Sequence, residues 1–202
     1  MPLWLGSDPL VLASASATRR TLLEAAGVPV EVHPAMLDER SLEAGAATPQ
    51  PGAVALMLAR EKALAVTKLH PGRLVLGADQ ILALGERRFA KPANLAAARA
   101  QLRTLSGHTH ELHAALALAR DDAVLFEHVG VARLTVRALT EHFLDLYLEA
   151  VGDAATASVG AYQIEGLGIQ LFERIEGDYF TILGLPLLAA FDFLRRKGYL
   201  AS

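Results

Sequence analysis

The stretch LVLGADQILAL, residues 74–84, is apolar except for Gln80 and one carboxylate, Asp79. A run this short and apolar, bounded by turn residues, reads as a buried strand. Burial leaves Asp79 needing either a partner or a task. It is a buried ion pair, a helix cap, or a metal ligand or general base at the carboxyl end of a sheet strand.

The rest of the chain alternates in the same way. Leu10 to Ala13 reads as a buried strand, TRRTLLEAAG as a helix ending at Gly27, and VPVEVHP as a second strand. Pro51 opens a long helix to about Leu69, and Asn94 caps another that ends at Gly107. HELHAALALAR and AVLFEHVGVARLTV predict two strands joined at the Asp121–Asp122 turn. Thr140 caps a helix, and Pro186 starts a last one that stops at Gly198. Between them, SVGAYQIEGLGIQLFERIEGDYFTILG is expected to form short strands broken by glycines. Strands alternating with helices, plus one antiparallel pair, predict an α/β fold, a mixed sheet covered by helices. Residues 43–52, EAGAATPQPG, read as a loop, so residues 1–202 are expected to be a single domain.

Charge narrows the chemistry. The net charge of -3 and 6% aromatic residues disfavour a nucleic-acid-binding surface. With no cysteine there is neither a disulfide framework nor thiolate chemistry, which suits a cytoplasmic protein. No signal peptide and no membrane-spanning run are expected.

Two clusters of polar residues stand out. In LVLASASATRR, Ser14 and Ser16 precede Arg19 and Arg20 at the start of a helix, where positive charge opposes the macrodipole. Either the serines cap the helix and the arginines are solvated, or hydroxyls, backbone N–H groups and a guanidinium form an anion site. Lys62 is ringed at helical spacing by Ala55, Leu58, Ala59, Ala65, Val66 and Leu69, so it faces the core side of its helix. It either snorkels to water or reaches into a cleft as a phosphate-binding point charge. His108, His110 and His113 cannot meet on one ion without a bulge, and are expected to be mostly exposed strand and turn histidines.

Taken in order, several segments resemble the Maf-like nucleoside triphosphate pyrophosphatases over nearly the whole length. LASASATRRTLLEAAG is similar to that family's S-x-S-x-R-R-x-L-L segment. LDER, LAREKA and LGADQ are similar to its acidic element, its lysine-bearing helix and its G-A-D motif. AKPAN with LRTLSGHTH, then GAYQIEGLG and IEGDYFTILGLPL, resemble its later blocks. The resemblance implies a Maf/ITPase-like fold, a mixed twisted sheet flanked by helices with two lobes around a deep cleft. It implies hydrolysis of a nucleoside triphosphate to the monophosphate and pyrophosphate, cleansing non-standard nucleotides, with a divalent cation (Mg²⁺, Mn²⁺ or Co²⁺).

By the same resemblance, Asp79 is the general base, and Ser14, Ser16, Arg19, Lys62 and Lys91 bind phosphate. Glu39 holds the metal together with Asp79, and beside that metal and the lysines Asp79 is expected to stay ionised. Thr18, Gln80 and Glu165 occupy the positions associated with base choice. Gln80 and Glu165 resemble the 7-methyl-GTP type, Thr18 resembles neither type, and Ala17 replaces the usual proline. The reading leans towards a guanine-type base. The alternatives are a pyrimidine (dTTP or UTP) enzyme and a non-catalytic nucleotide-binding regulator of cell division. The only partner expected is the nucleotide, with neither nucleic acid nor membrane, and a homodimer is left open.

Overall fold

The computed structural model describes residues 3–201. Seven strands form one mixed sheet: β1 (Leu10–Leu12), β2 (Val30–Val32), β3 (Val75–Leu84), β4 (Arg87–Phe89), β5 (Thr109–Arg120), β6 (Ala123–Val136) and β7 (Phe172–Glu176). Their order is β2-β1-β3-β5-β6-β7, with β4 paired to β3. β1 runs parallel to both β2 and β3, while β3–β4 and β6–β7 are antiparallel. The helices are α1 (Ala17–Ala25), α2 (Glu39–Ala44), α3 (Pro51–Thr67), α4 (Leu95–Leu105), α5 (Glu141–Val151), α6 (Tyr179–Ile182) and α7 (Leu187–Arg196). Among the described residues, no helix is long and apolar enough to cross a membrane.

Side-chain caps fix most of the helix starts. Ser16, Asp38, Asn94, Thr140 and Asp178 each accept the backbone N–H three residues on. The Asp121–Asp122 turn joins β5 and β6, with Asp121 in the left-handed region at φ 54°. Its carboxylate accepts from the Gly72 N–H at 2.7 Å.

The chain divides into two compact units. The first comprises residues 3–80, 113–131 and 178–201, and the second comprises 81–112 and 132–177. The first has its core around Leu10, Leu12, Leu23, Leu76, Leu116, Leu118, Leu185 and Phe193. In the second, α4 packs on α5, with Leu102, Leu105, Leu144 and Leu148 buried. Arg99 and Arg103 of α4 both pair with Glu141 of α5.

The glycine-rich stretch departs from the expected run of short strands. It holds 3₁₀ turns at Val159–Ala161 and Leu167–Leu171, one strand, β7, and the short helix α6, and a further 3₁₀ turn at Gly152–Thr156 precedes it. The chain folds back on itself here: a Cβ at Gly168 would lie 2.5 Å from the Gln163 carbonyl oxygen. That close approach belongs to a compact loop, and an extended ladder has no place for it.

Candidate active site

β1 delivers Ser14 to the start of α1. Ser16 caps that helix, accepting the Arg19 N–H at 3.3 Å, and Ser14 Oγ accepts the Ser16 N–H at the same distance. Arg19 is not freely solvated, and most of its donors are spent within the protein. It is 9% exposed, and its Nε donates to the Gly184 carbonyl at 2.8 Å. Its Nη1 donates to Ser14 Oγ and to the Ala78 carbonyl, both at 2.9 Å. Burial lowers its pKa against the pull of Asp79 and Glu39. Arg19 therefore ties the serine turn, the end of β3 and the α6–α7 connection together. Arg20 points outward towards Glu24.

Beneath that turn, α3 and β3 meet at Gly77. A Cβ there would lie 2.1 Å from the Ala59 carbonyl oxygen and 2.7 Å from the Ala63 nitrogen. Only glycine lets the helix backbone come this close to the strand. The approach sets Lys62 against Asp79 with Nζ to Oδ1 at 2.7 Å, and Glu39 of α2 accepts the same ammonium at 2.9 Å. Lys62 and Asp79 are each 8% exposed. The lysine neither snorkels nor stands free; it is shared by two carboxylates.

Asp79 was expected to stay ionised beside cations. Its burial pushes the carboxyl pKa up, and Lys62, then Arg19, pull it down; the net shift is upward. Lys62 binds Oδ1, so Oδ2 has no protein partner among the described residues.

Gln80, next on β3, spends its amide donors on main chain: Nε2 reaches the carbonyls of Thr181 at 3.1 Å and Ile182 at 3.0 Å. That leaves it as an acceptor, through Oε1, and not the two-way partner expected of an amide. Thr18 is partly buried in the first turn of α1.

Ser14, Ser16, Thr18, Arg19, Glu39, Lys62, Asp79 and Gln80 all belong to the first unit. Lys91 and Glu165 belong to the second; both are exposed, Lys91 just after β4 and Glu165 in the folded-back loop. Glu165 makes no ion pair among the described residues, so the arginine partner that would have explained it structurally is missing.

His110 differs from the expected exposed histidine. It is 0% exposed, on the same face of β5 as Leu112, and its Nε2 lies 2.6 Å from the Tyr162 hydroxyl. Burial lowers its pKa to about 4. The sequence signal for this was the two-residue alternation with Leu112. His108 lies before the strand, exposed, with Nδ1 on the Ser106 carbonyl.

Two acidic side chains converging on one ammonium form a hard-oxygen donor set. Mg²⁺ is characteristically held by one or two carboxylates plus substrate phosphates, and Glu39 with Asp79 fit that requirement.

Comparison with known proteins bears on what the arrangement is for. A nucleoside triphosphate pyrophosphatase of Rhodopseudomonas palustris (strain BisB18) is 57% identical over 201 residues, 100% of both chains. One from Bradyrhizobium diazoefficiens is 56% identical over the same span, again 100% of both. A 7-methyl-GTP pyrophosphatase of Rhizobium etli is 54% identical over 191 residues, 94% of this chain and 96% of that one. The model of the family described as Maf-like protein matches residues 9–197, a span that takes in the serine turn, the Lys62–Asp79–Glu39 cluster and the Glu165 loop. On that evidence the chain belongs to the Maf-like protein family.

Proposed function

We propose that the protein hydrolyses nucleoside triphosphates to the monophosphate and pyrophosphate at the Asp79 cluster. The observation that carries the reading is the buried Asp79–Lys62 pair with Glu39, under a hydroxyl-bearing helix start, in a chain over 50% identical to named nucleoside triphosphate pyrophosphatases.

Asp79 is the general base. Its Oδ2 takes a proton from the attacking water while Lys62 holds Oδ1 and fixes the plane of the carboxylate. A carboxyl pKa raised by burial brings the base closer to neutral operating pH, where proton transfer is most effective. The water oxygen attacks the α-phosphorus, and the bond to the bridging oxygen breaks with pyrophosphate leaving. Lys62 has a third N–H for a phosphate oxygen, and Lys91 supplies a second ammonium. Arg19 positions the serine turn, with Nη2 as its remaining donor. Glu39 and Asp79 would hold a divalent cation, which, when bound, neutralises phosphate charge. The lack of cysteine fits work in the cytoplasm.

For the base, the reading is a guanine-type ring, 7-methylated or not. Glu165 supports it as an exposed carboxylate without an ion pair, since adjacent N1–H and exocyclic amine donors match two carboxylate oxygens. Thymine and uracil would set a carbonyl against it. Gln80 adds only an acceptor. The Rhizobium etli relative's name also points this way.

The test is a pyrophosphate-release screen over GTP, 7-methyl-GTP, dTTP, UTP and other nucleoside triphosphates with Mg²⁺, Mn²⁺ and Co²⁺. Pyrophosphate in equal amount with monophosphate is expected. Release of inorganic phosphate alone, or binding without turnover, overturns the activity. A kcat/KM for dTTP or UTP well above both guanine substrates overturns only the base assignment.

A further inference from the structure

Away from the Asp79 cluster, two histidines from different elements turn ring nitrogens on each other. His33 directly follows β2, and His70 lies in the turn from α3 to β3. Nδ1 of His33 and Nε2 of His70 are 3.1 Å apart. The ring centroids are 4.9 Å apart and the planes stand at 83°. Rings joined by an in-line N–H···N bond would have centroids roughly 5.4 Å apart, so the lone-pair directions here are bent off the line. Two imidazole nitrogens on one tetrahedral ion at about 2.0–2.1 Å lie roughly 3.3–3.4 Å apart, a few tenths of an ångström from the spacing seen.

The far side of His70 is also furnished. Glu31 Oε1 is 3.9 Å from His70 Nδ1, and the same carboxylate is held by Arg73 at 2.9 Å. At that distance Glu31 makes no hydrogen bond to the ring, but its negative charge on the far side favours a cation held at Nε2, as acidic neighbours do for metal-ligating histidines. Glu31 lies on β2 and His33 directly follows it, so one short stretch of chain supplies both a ligand and an acidic neighbour of the other ligand.

We propose that His33 and His70 form a two-histidine site for a divalent transition-metal ion that prefers imidazole, such as Zn²⁺, Ni²⁺ or Cu²⁺, with water completing the shell. Among the described residues no three His, Cys, Asp or Glu side chains converge as a ready-made cage, so the site is open and weaker than a structural zinc centre. Binding balances simply: the hydrogen bond between the rings breaks, the proton on His33 Nδ1 moves through water to Nε2 of the same ring, and two nitrogen–metal bonds form with no net change in protons. The His33 N–H donates to the Leu12 carbonyl at 3.0 Å, two residues before Ser14, so an ion here ties that end of β2 to the turn from α3 to β3.

The test is calorimetric titration of untagged protein with ZnCl₂, alongside melting with Zn²⁺ or Mg²⁺. A binding event of about one ion per chain that raises Tm is expected, and Mg²⁺ should not reproduce it. His33→Gln and His70→Gln should each weaken it at least 10-fold, and Glu31→Gln by about 10-fold. Asp79→Asn should leave it in place. No such event, an event unchanged in both histidine variants, or one lost only in Asp79→Asn would overturn the proposal. If one histidine variant fails to fold, the other variant and the Asp79→Asn control still decide.

Discussion

In the proposed mechanism Asp79 acts through the contrast between one bonded and one open carboxylate oxygen. Asp79→Asn keeps the shape, and the fold should survive, but the amide cannot accept the proton. Turnover should fall by about 10²–10⁴, measured as pyrophosphate release on protein whose circular dichroism is unchanged. Glu165→Gln should leave the fold intact and move the kcat/KM ranking away from guanine substrates; an unchanged ranking would remove Glu165 from base recognition. Asp79 was legible because a charge among apolar positions must be paired, whereas the spacing around Lys62 showed that it faces the core but not that two carboxylates hold it. The locking of Arg19 was not legible. Besides Ser14 Oγ, its acceptors are the carbonyls of Ala78 and Gly184, 59 and 165 positions away, and a backbone carbonyl leaves no trace in residue identity. The fate of the Gln80 donors was hidden for the same reason.

At the scale of elements, the contact of α3 with β3 at Gly77 sets the reach from Lys62 to Asp79. A Gly77→Ala methyl would have to push helix backbone away. The expected cost reaches or exceeds the roughly 1–3 kcal/mol of ordinary overpacking, measured by urea denaturation. Activity should drop further than stability alone explains, because the displaced helix carries Lys62. Helices with a side-chain cap and an apolar face were readable from sequence, and so was the Asp121–Asp122 turn. The segment from Val159 to Ile182 was not, because its glycines serve close approach as well as turning. Gly160 sits at φ 81°, and a Cβ there would meet the Tyr162 ring at 2.5 Å. Periodicity carries no signal for a loop held by such contacts.

For the molecule as a whole, His110 ties stability to pH. Its folded pKa of about 4 lies below the ordinary 6.5, so between those values the unfolded chain binds more protons than the native one. Stability is therefore full above pH 6.5 and is lost as pH falls towards 4, by on the order of 3 kcal/mol for this group. Urea denaturation between pH 7.5 and 5 should show that slope in the wild type and a flatter one in His110→Gln; parallel slopes would rule the histidine out.

The first unit is assembled from three separated stretches of chain, and its core joins Leu10 and Leu12 to Leu185, Phe193 and Leu194. During synthesis, β1 emerges long before the helix that covers it. A nascent chain that has reached β7 still has Leu12 and Leu76 without α7, so the apolar strands of the first unit wait uncovered while the second unit is already complete in sequence. The Gly184 carbonyl that holds Arg19 belongs to the same late stretch, so the serine turn is locked only after residues 178–196 have joined the first unit.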